Sequence, residues 1–399
     1  MLTLFSALIA AAVPSSLAAS DVPVHPLRAA QLEAIANTPG VLWRAAAHPR
    51  FATSPPGAST SLMGAPGDQS GTIDALVKAG KIISVDSTRD GTEDDLPISF
   101  DSATHWPQCA VMIGNIRDQS NCGCCWAFAG AEAASDRMCI ATNAKTVVPL
   151  SAQDVCFNGG GWTSFGCSGG QIVAPWNYIQ KSRRFRSNGA VSGGQYNGTG
   201  VFGGGFCSDF SMPHCHHHGP QNEDPYPAEG EPGCETQRTP KGPKKCDMDA
   251  VPPHDNFEAD RYFFDGDIIT AQGEENMQRA IMAGGPMEVA FTVYTDFEDY
   301  DGGIYHHVTG NPAGGHAVKL VGWGEENGEK YWKVANSWNE HWGEEGYFRI
   351  RRGVNEGGIE GGAVASSHTA EWGWAGNTGG SVKGSSNNPV GYGLKGSLQ

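Results

Sequence analysis

The run Asp118-Gln119-Ser120-Asn121-Cys122-Gly123-Cys124-Cys125-Trp126 sets three thiols at the entrance of the best helix-forming stretch of the chain, residues 125–140. That stretch is rich in good helix formers, and Trp126, Ala129, Ala133 and Met138 fall roughly on one face. A thiol attacks only as its thiolate. Unpaired backbone N–H groups at a helix N-terminus favour that charged form, which makes Cys125 the candidate nucleophile. On spacing alone, Cys122, Cys124 and Cys125 serve equally well as disulfide partners or metal ligands.

A thiol nucleophile needs a base that later acts as an acid, and imidazole suits both roles. Gly314-Gly315-His316-Ala317-Val318 opens one short apolar stretch and Tyr331 to Asn336 forms another, with Asn327-Gly328 between them as a hairpin signal. His316 and Asn336 can therefore meet at one end of a hairpin, with the register left open by the sequence. An amide oxygen on the second ring nitrogen would hold the tautomer without adding charge.

Gln119, Cys122, Gly123, Cys125 and Trp126 together resemble the active-site signature of the papain family of cysteine peptidases, with Cys124 where Ser or Ala usually precedes the nucleophile. The His316 and Asn336 segments resemble the family's other two motifs, down to Trp338. The resemblance implies an oxyanion hole made by the Gln119 side chain and the Cys125 backbone N–H. Trp338 would shield the His316–Asn336 hydrogen bond from water. The implied fold is α+β, a papain-like two-domain fold with a helical left half, an antiparallel β-barrel-like right half and the active-site cleft between them. Gly169 and Gly170 would bind the substrate backbone as an added strand, with Ala317 and Gly362 beside it. Gly362 replaces an acidic pocket group of cathepsin B, which implies apolar or aromatic preference there. A vicinal disulfide between Cys124 and Cys125 would silence the site, and the alternative function is a catalytically silent secreted binding homologue on the same fold.

His316 and Asn336 both follow Cys125 at more than the roughly 130–150 residues usual for papain-like enzymes. The extra chain includes Cys207 to Cys246, with Pro213-His214-Cys215-His216-His217-His218-Gly219 inside it. This stretch resembles the occluding loop of cathepsin B, which implies that His217 and His218 receive a substrate's C-terminal carboxylate and that dipeptides are removed from C-termini. The loop offers no CxxC pair and no helix with HxxxH spacing, so no metal and no cofactor are expected. The resemblance also implies disulfides Cys109–Cys139, Cys122–Cys167, Cys207–Cys246 and Cys215–Cys234. Other family cysteines are missing where Asn158, Gly159, Thr163 and Gly242 stand, which leaves Cys156 open to pairing with Cys124.

The elements that must position these residues occupy the middle of a 399-residue chain. Residues 1–20, with an apolar run too short to span a bilayer, are expected to be a signal peptide. Residues 21–95 hold no cysteine and little apolar patterning, and are expected to be a loosely structured propeptide that inhibits the enzyme. The peptidase domain is expected over 96–372, with the loop insertion at about 207–246, a third strand at Tyr347 to Ile350, and a disordered Gly/Ser/Asn-rich tail over 373–399. A formal charge of -16 excludes nucleic acid as a partner. Eleven cysteines point to an oxidising compartment, lysosomal or extracellular. Asn197-Gly198-Thr199 is a glycosylation acceptor. The expected partners are polypeptide substrates and the chain's own propeptide, with no membrane and a monomeric state.

Overall fold

The computed structural model describes residues 23–85, 96–159, 163–181, 189–213 and 238–376. The expected signal peptide, His217, His218, the pair Cys215–Cys234 and the chain beyond 376 lie outside these residues. No helix among the described residues is long and apolar enough to cross a membrane.

At the centre lies the helix Cys125–Ala141, in which every residue from Cys125 to Cys139 is buried. Its small residues let neighbours close in on all sides, so it differs from the expected helix with one apolar face. The helices Ala152–Asn158 and Ala174–Ile179 pack against it on one side and the strand Pro312–Glu326 on another.

The main sheet has ten strands. The hairpin expected around Asn327-Gly328 forms between Pro312–Glu326 and Glu329–Ala335, and Tyr347–Arg351 pairs with the latter. On the other side of Pro312–Glu326 comes Met287–Tyr294, followed by Ala363–Ser366 and Ile268–Ala271. Most pairings are antiparallel, and among the described residues the sheet does not close on itself, in keeping with the expected α+β, papain-like fold. The last described residues also depart from expectation. Glu371–Trp374 pairs with Arg261–Asp265, so order extends past the expected start of the tail because backbone pairing and the stacking of Trp374 on Tyr262 hold it.

The N-terminal segment is far more ordered than its composition suggested. It forms the helices Pro26–Ala36 and Ser70–Lys78, and the short strand Trp43–Ala45 pairs with Tyr300–Tyr305. Its order comes from docking, since its apolar side chains Ile35, Trp43, Phe51, Leu62 and Ile73 join the main core. Arg28 anchors it through fully buried ion pairs to Glu298 at 2.7 Å and Asp299 at 2.6 Å. Burial outweighs the pull of Arg28 and pushes the Asp299 carboxyl up to about 6. Arg28→Ala leaves two buried carboxylates without their cation, a change that costs about 3–5 kcal/mol. Hydrogen exchange over residues 26–36 is then expected to quicken by about a hundredfold or more, with the helix Cys125–Ala141 still protected. Unchanged exchange over 26–36 would show that other contacts hold the segment down.

Three of the expected disulfides are present: Cys109–Cys139, Cys122–Cys167 and Cys207–Cys246. Cys124, Cys125 and Cys156 are buried free thiols, so neither a vicinal bond nor a Cys124–Cys156 bond exists in this structure.

Candidate active site

Cys125 is the first residue of its helix, and Cys124 precedes it as the N-cap with no side-chain cap bond. The Cys125 Sγ accepts the Ala317 backbone N–H at 3.4 Å, which joins the helix to the strand carrying His316. The thiol is fully buried, and that burial pushes it up to about 12, against the pull of the Ala317, Gly64 and Trp126 backbone N–H groups.

His316 sits opposite Phe291 in the pairing of Pro312–Glu326 with Met287–Tyr294. Asn336 follows the strand Glu329–Ala335, whose register slips at a bulge between Lys333 and Val334. A bulge adds one residue on one strand, a detail that turn counting leaves undetermined. The result brings the pair together: His316 Nε2 and Asn336 Oδ1 are 2.7 Å apart. The other ring nitrogen, Nδ1, is buried without a hydrogen-bond partner and is free to take a proton. Trp338 stacks on the His316 ring at a centroid distance of 5.0 Å and covers the pair. Burial pushes the His316 imidazole down to about 4; the Asn336 bond opposes this and the Arg50 charge adds to it.

Gln119 is held by both partners of the site. Its backbone N–H donates to the Ser337 carbonyl at 2.9 Å, and its Oε1 accepts the Ser337 hydroxyl at 2.7 Å. Its Nε2 donates to two carbonyl oxygens at 2.9 Å, those of Cys122 and Leu62. Leu62 belongs to the N-terminal segment, so the Gln119 amide donor is already occupied by a peptide carbonyl of the same chain.

The same segment continues through the cleft. Gly170 N–H donates to the Gly64 carbonyl at 2.8 Å, and Ala65 N–H to the Gly315 carbonyl at 3.1 Å. Glycine is required at both contact points. A Cβ on Gly170 would lie 2.6 Å from the Trp126 ring, and one on Gly315 would lie 2.1 Å from the Ala65 carbonyl oxygen. Gly169 flanks this seat, and Ile73 of the N-terminal segment packs over Gly362, where an added Cβ would meet its side chain at 2.9 Å. Phe51 meets the edge of Trp338 at 5.7 Å, and Arg50 donates to the Ser120 carbonyl at 3.1 Å.

One group of residues escaped the sequence reading. Lys319, three positions after His316, is buried with its Nζ 3.0 Å from Asp136 and 3.8 Å from Glu132 on the nucleophile's helix. Burial, set against Lys319, pushes Glu132 up to about 7 and Asp136 up to about 6. The cluster ties the helix of Cys125 to the strand of His316. Its signal in the sequence was a lone Lys inside an apolar strand and two acids four apart in a helix otherwise rich in alanine.

The papain family cysteine protease model matches residues 96–367. Cathepsin B-like cysteine proteinase 6 of Caenorhabditis elegans is 44% identical over 273 residues, which span 68% of this chain and 66% of that protein. Cathepsin B-like cysteine proteinase 4 of the same organism is 44% identical over 277 residues, 68% of this chain and 75% of its own length. The solved structure of proCathepsin B S9 from Trypanosoma congolense aligns with a TM-score of 0.62 and 30% identity, covering 85% of this chain and 96% of that one. With a thiol at a helix entrance, an imidazole held by an amide and a neighbouring Gln all in one cleft, the chain belongs to the papain family of cysteine proteases, among its cathepsin B-like members.

Proposed function

We propose that this chain hydrolyses peptide bonds through a covalent thioester on Cys125, and that residues 21–95 are the propeptide of a zymogen. The observation that carries the reading is the arrangement of His316, whose Nε2 is fixed by Asn336 and whose Nδ1 is unpartnered, while the N–H of the next residue, Ala317, donates to the Cys125 Sγ at 3.4 Å.

In this mechanism His316 Nδ1 takes the Cys125 proton and the thiolate attacks the substrate carbonyl carbon. Negative charge on the carbonyl oxygen is met by Gln119 Nε2 and the Cys125 backbone N–H, donors already in place before reaction. The imidazolium then protonates the leaving amine, and the neutral ring activates water to cleave the thioester. Asn336 and Trp338 keep the ring oriented and dry. Gly169 and Gly170 pair with the substrate backbone, and the apolar seat over Gly362, with Ala317 nearby, takes an apolar or aromatic side chain two residues before the cut.

The N-terminal segment inhibits by occupying the same donors: Leu62 at Gln119 and Gly64 at Gly170. His217 and His218 give the enzyme peptidyl-dipeptidase activity beside endopeptidase activity, by holding a C-terminal carboxylate when protonated. The chain enters the secretory route through a signal peptide and works in the lysosome or outside the cell, as a monomer.

The test is labelling of the acid-processed protein with an epoxide or iodoacetamide, mapped by mass, beside turnover of a fluorogenic peptide at mildly acid pH. Labelling confined to Cys125 with proportional loss of turnover is the expected result. Labelled Cys125 in a processed protein that never turned over peptide would favour the silent binding homologue.

A further inference from the structure

Two thiols lie behind the nucleophile with no part in the mechanism. Cys124 caps the nucleophile's helix, and Cys156 lies in the neighbouring helix Ala152–Asn158. Both are buried, at 0% and 3% exposure. The Sγ atoms of Cys122, Cys124 and Cys156 all lie within 4.8 Å of one another. Cys122 is already bonded to Cys167, so it is closed to Cys124. That leaves Cys124 two thiol neighbours: Cys156 across the helix interface and Cys125 next in the chain.

We propose that Cys124 and Cys156 close a disulfide when the protein folds under oxidising conditions, and that this bond keeps Cys124 from capturing the nucleophile. The sulfurs lie at most 4.8 Å apart in the finished fold and must come to the ~2.05 Å of a bond. The two thiols give up two protons and two electrons to a small-molecule disulfide such as oxidised glutathione, which leaves as two thiols. Burial in the finished fold places this step during folding, before the two helices pack. Bonding between Cys124 and Cys125 closes a much smaller ring and distorts the first peptide of the helix, so Cys156 is the less strained partner whenever it is present. Without it, Cys124 attacks oxidised glutathione to form a mixed disulfide and release one glutathione thiol, the adjacent Cys125 thiolate then displaces the second glutathione thiol, and the nucleophile is lost in a Cys124–Cys125 bond.

The experiment uses the full-length chain folded with oxidised and reduced glutathione, then acid-processed. In unreduced, denatured protein, alkylation mapped by mass is expected at Cys125 and absent from Cys124 and Cys156; alkylation of all three would overturn the proposal. This mapping does not depend on catalysis, so it separates failure here from failure of the peptidase reading. For Cys156→Ser, the active-site titre without reductant is expected to fall at least about threefold and to recover with dithiothreitol, as thiol–disulfide exchange requires. The Cys124→Ser/Cys156→Ser double variant is expected to need no reductant, which a merely structural role for Cys156 would not produce. A full titre for Cys156→Ser without reductant would sink the guarding role, and should that variant fail to fold, the wild-type mapping still decides whether the bond forms.

Discussion

Cleaving the folded chain near Leu96 and separating the N-terminal segment is expected to raise the rate of Cys125 alkylation by about 1,000-fold at pH 6. In the covered site the thiol stands at about 12 because burial disfavours the charged form. Uncovering it returns the value toward the ordinary 9.0 even before any ion pair forms, and each unit is tenfold in thiolate below the pKa. The imidazole moves the opposite way. Burial and the nearby Arg50 hold it at about 4, so at pH 6 it is neutral, and exposure brings it back toward ~6.5. Both changes favour the thiolate–imidazolium pair, and both are opposed while Leu62 to Ala65 fill the cleft. The measurement is a stopped time course of iodoacetamide incorporation with and without the segment. A ratio below tenfold would mean that the segment covers the site without suppressing the thiol.

His316→Ala is expected to lower kcat/KM for a peptide substrate by about 10³-fold or more, the range for losing a positioned acid–base. Asn336→Ala is expected to cost less, because Asn336 acts through the ring it orients and carries no proton itself. The two are told apart by the pH profile. Loss of His316 removes the acid limb that its titration produces, whereas loss of Asn336 leaves that limb in place and lowers the plateau. Equal losses in the two variants with identical profiles would contradict the division of roles. His316 lies at the buried end of a hairpin next to Trp338, so circular dichroism on each variant checks that the fold survives.

The candidate site was legible in the sequence because each part of it is announced locally. Cys125 begins a helix that helix-forming residues specify over consecutive turns, and Asn327-Gly328 announces the hairpin that returns Asn336 toward His316. The disulfides Cys109–Cys139, Cys122–Cys167 and Cys207–Cys246 followed from a resemblance carried by those same motifs.

What the tertiary structure alone decided depends on contacts between residues distant in the chain, which leave no period in either partner. The bulge at Lys333 and Val334 set the register that places the Asn336 amide 2.7 Å from the His316 ring. Residues 23–85 lack the apolar pattern of an independent core, and they order because Arg28 finds Glu298 and Asp299, and because Phe51 finds Trp338. The strand Glu371–Trp374 is held by a partner more than a hundred residues earlier in the chain. Lys319 reads as an oddity in an apolar strand until the helix brings Glu132 and Asp136 to it. The sequence by itself determined which groups could do the chemistry; the packing of distant segments decided that, in this chain, those groups are buried, neutral and covered, since burial is a property of the whole fold and not of any local run of residues.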